Sequence, residues 1–509
     1  MIKKILMFVL AFILTRWSVY SVTHHVGISQ TFTNLTQATA VAQPGDTIVV
    51  HTGTYSGGLS INNLQGTPSA WIRIFTAPNS TVVYNGGTNA WQMTDAAYIH
   101  IRGFIFQQQT GNGFNMDDGG TYNTPSHHIL FENCTFRNIN ATGNNDLLKL
   151  SGVDDFEIRN CIFLNGSFNG SGIDMVGCHN GLIRGCYFDY QGAYNNTNYG
   201  NGIQAKGGSA NIRMEANFLR NTGPRAFNLG GSTSAAFFRP ANAPYEASGL
   251  KVYSNIIVGT DAPVAFVGCT NTEAVNNTLY LPARWAMRIL QENTDPAMAT
   301  CGNNKFINNI IFRDNQMVTE CNIGPNTATS TFTISHNLWY HSQNPSWTGP
   351  SSLPVTDLSQ VVANPLFVNP VSLNFNLQPS SPAIGSGSAI SQPSLDYNGN
   401  AFNPSARSRG AVEGNVTTDI LNLSTSGKPQ IHIFPNPVTE NVFFLIAETE
   451  NGTDTVEIFD LNGKSINTIV EAVSNYKYRI NIEGVSRGVY FVRVKNNYKG
   501  TITVKIIVD

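Results

Sequence analysis

Between Gly103 and Trp339 the chain repeats one short pattern, seen in GFIF, ENCTF, RNCIF, RGCYF, EANFL, YSNII, VNNTL, INNII and SHNLW. Aligned, these segments share the column Phe104, Cys134, Cys161, Cys186, Asn217, Asn255, Asn277, Asn309 and Asn337. Two positions later runs a second column of Phe106, Phe136, Phe163, Phe188, Leu219, Ile257, Leu279, Ile311 and Trp339. A separation of two puts both columns on one face of a strand. Successive members lie 22 to 38 residues apart, a spacing that signals a solenoid.

Short β-rich segments bounded by Gly, Asn and Asp leave no room for long helices. Coils of at least 22 residues with three short strands each predict an all-β chain folded as a right-handed parallel β-helix. Each strand then pairs with its equivalents about 4.8 Å above and below. An inward asparagine can bond its neighbours along the stack, which satisfies a buried amide.

Composition narrows the partners. The 509 residues are 41% hydrophobic and 12% charged, with formal charge -2 and no lysine- or arginine-rich run. This argues against nucleic acid or an anionic membrane surface as the bulk partner. The start, MIKKILMFVLAFILTRWSVYS, has two lysines, an apolar run from Ile5 to Leu14 and short residues at Val19 and Ser21. Residues 1–21 therefore read as an export signal, the apolar run being shorter than the roughly 20 residues of a membrane span. Of seven cysteines, three sit in near-identical repeat contexts and look structural; Cys301 and Cys321 could pair, and their spacing leaves that open.

Residues 35–86, with AVAQPGDTIVVHTGTY and LQGTPSAWIRI, resemble the opening coils of β-helical polysaccharide lyases such as the chondroitinase B and alginate lyase group. Residues 363–414 (ANPLFVNP, FNLQPSSPAIGSG, DYNGN, RGAVEG) resemble the closing segment of bacterial right-handed β-helix proteins. These matches imply the fold, over residues 22–414, more than a reaction. A polar linker spans 415–428, and 429–509 alternates apolar and polar residues through FPNP, FDLNGK and GVYFVRV. That last segment resembles the C-terminal sorting domain of the type IX secretion system and implies a small β-sandwich, the type IX machinery as a partner, and passage through periplasm and outer membrane. Gly463-Lys464-Ser465 reads as a turn, because Ile458 stands where a phosphate loop needs glycine.

Between the spine strands a second set aligns: DLLKLSG, GIDMVGC, GIQAKGG, AFNLGGS, PVAFVGC and AMRILQE. One parity, Lys149, Met175, Ala205, Asn228, Phe266 and Ile289, suits the interior. The other holds Leu150, Val176, Lys206, Leu229, Val267 and Leu290, preceded by Leu148, Asp174, Gln204, Phe227, Ala265 and Arg288, and is read as outward. Lys206 then projects among aliphatic neighbours, which would lower its pKa and suit it to act as a base; the plain alternative is a surface lysine covering apolar area.

Arg225 lies on the next coil, and the insertion STSAAFFRPANAPYEA brings Phe237, Phe238, Arg239, Tyr245 and Glu246 beside this face. Two coils on come Arg284, Trp285, Arg288 and Glu292. Arginines grip carboxylate or sulfate with paired hydrogen bonds, and rings stack on sugars, so an acidic polysaccharide is the ligand these residues suit. Ion pairing with Glu246, Glu292 and Asp174 is the structural alternative. QGAYNNTNYG, with Tyr194 and Tyr199, is a candidate subsite wall or a solvated turn.

The lyase resemblance implies a base lysine in a V-K-S-S-like strand, which QAKGG matches at Lys206, and a catalytic arginine whose position falls on Leu229, leaving Arg225 to substitute. The family's calcium-binding glutamates would fall near Tyr199 and Asn201, so calcium is implied by the family but its acidic ligands are not matched, and no other cofactor or metal is indicated.

The sequence thus assigns Lys206 as base, Arg225 and Arg239 to the carboxylate, Tyr245 as proton donor, and Arg284, Arg288, Trp285, Glu246, Gln204 and Asp174 to substrate contacts. Two rivals stand: a glycoside hydrolase pairing Asp174 with Glu292 or Glu246, and a non-catalytic glycan-binding protein. His24, His25, His127 and His128 read as solvent-facing.

Overall fold

The computed structural model describes residues 21–166, 169–190, 200–414 and most of 431–508, without 435–437, 439–441, 448–454, 461–462, 475–476 and 497–499. The expected export signal (up to its last residue) and the linker fall outside the described residues.

Each coil gives one strand to each of three parallel sheets. The first sheet has twelve strands, from Thr23–Val26 to Thr333–Ser335; the second has twelve, from Gly53–Ser56 to Val361–Val362; the third has ten, from Leu59–Asn62 to Thr319–Ile323. A short helix, Leu35–Thr39, capped by Asn34, buries Leu35 and Ala38 beside the first coil. This is the expected parallel β-helix.

Both predicted columns lie inside it. The residue before each spine position turns left-handed, as at Asn133, Asn160, Ser254, Asn276 and Asn308 with φ of 53°, 53°, 53°, 54° and 58°, a conformation asparagine tolerates better than most residues. That corner aims the next side chain at the core. Asn217, Asn255, Asn277, Asn309 and Asn337 are fully buried and form a continuous ladder. Asn277 Nδ2 donates to Asn309 Oδ1 at 3.0 Å and to Val252 O at 2.9 Å, while its Oδ1 accepts from the backbone N–H and Nδ2 of Asn255, both at 3.0 Å. Every amide therefore points the same way along the axis. The ladder ends on Asp357, which accepts from Asn337 Nδ2 at 3.1 Å and from Trp339 Nε1 at 2.7 Å.

The second column stacks its rings: Phe136 on Phe163 at 5.0 Å and 6°, Phe163 on Phe188 at 4.5 Å and 8°. All seven cysteines are buried and free, which settles the open pairing of Cys301 and Cys321 in the negative.

Residues 363–414 fold back over the outer face of the second sheet, where Phe367, Phe375 and Ala383 cover Tyr187, Phe218, Tyr280 and Ile310. Two buried arginines anchor this segment. Arg409 donates to Asn337 O at 2.8 Å and Arg407 to Asn276 Oδ1 at 2.8 Å. Burial pulls both guanidinium groups down to about 10. The C-terminal region forms two four-stranded antiparallel sheets around Leu445, Ile458, Ile480, Val492 and Ile506. Its Gly463 has φ 80°, and Lys464 N–H donates to Asp460 Oδ1 at 2.9 Å, so this stretch is the turn expected.

Candidate functional site

The third sheet's register corrects the expected parity on two strands. Lys149 pairs with Asp174, Asp174 with Gln204, Gln204 with Asn228, Asn228 with Ala265, and Ala265 with Arg288. Leu150, Met175, Ala205, Leu229, Phe266 and Ile289 form the inward row and are fully buried. Lys149 and Asn228, expected inside, therefore face outward, while Leu150, Leu229, Leu148 and Phe227, expected outside, are buried. A slip of one residue in aligning DLLKLSG and AFNLGGS exchanges the two faces. Lys206, Gln204, Asp174 and Arg288 stand outward as expected.

Lys206 ends the strand Ile203–Lys206, pairs in register with Val176, and runs its stem past Gly231, where a Cβ would crowd it. Its neighbours are not only aliphatic. The ammonium lies 3.6 Å from Asp174 Oδ2, and Lys149 holds that same oxygen in a direct, short ion pair. Lys149 Nζ also lies 3.6 Å from Asp146 Oδ2. Both lysine side chains are only 15% exposed, and both carboxylates are buried. Asp146 Oδ1 accepts from Ser171 N–H at 2.6 Å, whereas Asp146 Oδ2 and Asp174 Oδ1 have no hydrogen-bond partner among the described residues. Burial, then the charge of Asp174, pushes the Asp146 carboxyl up to about 7. The two carboxylates hold the Lys149 ammonium well above its ordinary value in spite of burial.

On later rungs the polar stripe continues. Asn201 donates to Gln204 at 2.8 Å. Arg225 does not reach back to Lys206: its partners are Asn228 Oδ1 at 2.7 Å and Glu292 Oε1 at 2.6 Å. Its register partner is Asn201, about 16 Å along the strand from Lys206 at 3.3 Å per residue. Arg284 and Arg288 both lie over Trp285, at 4.3 and 4.5 Å from ring centroids. Arg288 also donates to Asn322 at 2.9 Å, and burial, followed by the charge of Arg225, lowers its pKa. Arg225, Arg284, Arg288, Trp285 and Glu292 thus form one cluster, as expected, but beside Lys206 rather than around it.

The insertion between Gly231 and Ala247 is fastened by the two charged residues assigned to substrate. Arg239 is buried and donates to both oxygens of Asp154, at 2.7 and 2.5 Å, to Gly177 O at 2.8 Å and to Tyr122 O at 3.1 Å. Glu246 is fully buried and accepts from Gly207 N–H at 2.9 Å, Thr233 N–H at 2.7 Å, Thr233 Oγ1 at 2.7 Å and Asn293 Nδ2 at 2.7 Å. Glu246 has no acceptor position left and Arg239 spends four of its five N–H groups within the protein, so both assignments are corrected: they clamp the loop. The same bonds remove Glu246 as a hydrolase carboxylate. Phe238 is buried, Phe237 is exposed and Tyr245 is half-buried.

Sequence reasoning missed Lys149, Asp146 and Asp154. A lysine placed in an apolar interior row was the available signal, since unpaired lysine is almost never buried. The four histidines are not simply solvent-facing: His24 bonds Asp46 at 2.9 Å, His25 bonds His51 at 2.9 Å, and His127 and His128 join an aromatic cluster. Tyr194 and Tyr199 lie outside the described residues. Asn201 is committed to Gln204, and the cation between Asp146 and Asp174 is the ammonium of Lys149.

The fold matches that of a crystallised pectate lyase with TM-score 0.51 at 15% identity, over 78% of this chain and 97% of that one. An alginate lyase from Paenibacillus sp. str. FPU-7 gives TM-score 0.37 at 15% identity, covering 64% and 98%. A family 6 polysaccharide lyase from Pseudopedobacter saltans gives 0.40 at 13%, covering 64% and 89%. No curated protein matches the chain. The chain is a parallel β-helix protein, a fold it shares with that pectate lyase. Residues 432–509 match the secretion system C-terminal sorting domain, and the protein is exported by type IX secretion to the cell surface or beyond. No helix among the described residues is long and apolar enough to cross a membrane.

Proposed function

We propose that this is a secreted polysaccharide lyase that cleaves a uronate-containing glycan on the outer face of the third sheet. The observation that carries the reading is the Lys206 ammonium, 3.6 Å from a carboxylate oxygen whose charge Lys149 already takes up. Lys149 is the closer cation on Asp174, so Lys206 stands at the edge of that pair with its amine toward the open face.

In the reaction, neutral Lys206 takes the proton at C5 of a uronate. The electron pair left behind forms the C4–C5 double bond, the C4–O bond breaks, and Tyr245 or water protonates the leaving oxygen. Elimination requires the adjacent carboxylate to be neutralised, for which Lys149 is the cation nearest Lys206; Arg288 and Arg284 on Trp285, with Arg225 held by Glu292, form a wall suited to the carboxylates of neighbouring uronates.

The test is ultraviolet absorbance of the new double bond when the secreted chain meets alginate, pectate, chondroitin or ulvan. Lys206→Ala should lower the rate by about 10²–10⁴, the usual range for a lost general base, while retention on the polysaccharide persists. Lys149→Met leaves Asp174 to Lys206 alone and should lower the rate of elimination. Cleavage without absorbance would indicate a hydrolase, and retention without cleavage a binding protein. Full activity in Lys206→Ala ends the proposal.

A further inference from the structure

The corner leading into the first sheet carries one register column through successive rungs: Trp71, Tyr98, His128, Asp155, Asn180 and Asn211. From Tyr98 onward every member is left-handed, with φ of 54°, 54°, 50°, 57° and 59°. Aspartate and asparagine accept that conformation; a tyrosine there is strained, and a histidine is less suited to it than asparagine. The rings nevertheless occupy consecutive rungs. Tyr98 stacks on His128 at 4.4 Å and 26°, Trp71 meets both edge-on at 5.7 and 6.4 Å, and His127 packs against Tyr98 at 5.1 Å.

Trp71 and His128 of this wall line a groove of about 610 Å³ on the first sheet's outer face, with Tyr98 stacked behind His128 and the half-buried Leu130 and Leu182 further along the lining. The polar members of the column, Asp155, Asn180 and Asn211, line the same groove. Its arginines are paired locally: Arg159 with Glu157, and Arg213 with Glu215. The core does not need these rings at this corner, because later rungs make the same turn with Asp155, Asn180 and Asn211.

We infer that this groove is a second glycan-binding site, separate from the third sheet, that takes an uncharged polysaccharide lying along the solenoid axis. Rungs repeat about every 4.8 Å, close to the length of one pyranose unit, so neighbouring sugars meet neighbouring rungs. Aromatic faces take the apolar side of each sugar ring, and carboxylate and amide groups further along the column take hydroxyls. Pairing of the arginines removes the attraction for anions that the Lys206 face offers. The inference does not depend on Lys206 being a base.

The test is binding of the full chain to cello-, xylo-, manno- and galacto-oligosaccharides by calorimetry, with Trp71→Ala and the double variant Tyr98→Asn/His128→Asn. At least one of these glycans should bind, and Trp71→Ala should weaken it by about tenfold, as one lost ring contact would. The asparagine pair keeps the left-handed turn, so it should weaken binding while leaving the urea midpoint unchanged or raised. Lys206→Ala should bind like the parent. Binding by no member of the panel, binding that survives either change at the wall, or a lowered midpoint in the asparagine pair, which makes the rings structural, would overturn the inference.

Discussion

Replacing Asn277 by alanine is the sharpest test of how the barrel is held together. The side chain is fully buried and serves four partners. Two of these keep another bond after the change: Asn255 Nδ2 still reaches Met214 O at 2.9 Å, and Asn309 Oδ1 still accepts from Asn277 N–H at 2.9 Å. The fully buried N–H of Asn255 loses its acceptor, while Val252 O keeps the ladder bond that its parallel register gives it. An orphaned buried polar group costs about 1–3 kcal/mol. That is a sizeable part of the 5–15 kcal/mol typical of a folded domain. Urea titration of the mature chain reads the loss as a lower midpoint at unchanged slope. Asn277→Asp sharpens the test, since it keeps both acceptor roles but turns an oxygen toward Val252 O and Asn309 Oδ1. It should cost as much at neutral pH and recover in acid, when the carboxyl carries a proton. A loss below about 1 kcal/mol in Asn277→Ala would show that the ladder is incidental to stability.

Asp154→Ala leaves the Arg239 guanidinium buried and unpaired, which should cost about 3–5 kcal/mol and expose 232–245 to limited proteolysis; an unchanged digestion pattern would refute the clamp. Arg239 and His179 hold the Asp154 carboxyl down, in spite of burial, to about 2. Its folded pKa is thus depressed, and the stability it contributes is present above pH about 4 and is lost as pH falls toward 2. Asp396 behaves oppositely: burial raises it to about 6, so its contribution is full below pH about 4 and is lost as pH rises through 6. A shift of that size corresponds to about 3 kcal/mol, and Asp396→Asn should flatten the pH dependence of the urea midpoint over that window.

The interior was legible because one requirement dominates it. A residue buried between rungs must repeat at every rung, so the asparagine and phenylalanine columns could be read directly from spacing. The outer face carries no such constraint. Lys149 and Leu150 are adjacent, either could begin a plausible outward row, and only backbone pairing decides between them. Lys206 was found because it stands out against aliphatic neighbours. Asp146 was not, because its closeness to Lys149 depends on how the chain turns before the strand. Arg239 and Glu246 were recognised as neighbours of the site but given the wrong task, since composition does not distinguish a charge offered to a ligand from one consumed by backbone N–H and carbonyl groups. Arg225 shows the same limit: its rung was correct and its direction was not.

The closing segment determines where the chain leaves the barrel. Ala411 N–H bonds Thr278 Oγ1 at 3.0 Å and Gly410 N–H bonds Asn308 O at 2.7 Å, so residue 414 departs beside the ninth and tenth of the second sheet's twelve strands rather than from the last rung. A tether fixed beyond that point pulls across the solenoid, not along it. Load must first peel the strap that Arg407 and Arg409 fasten, and the stacked rungs carry tension only after it has gone.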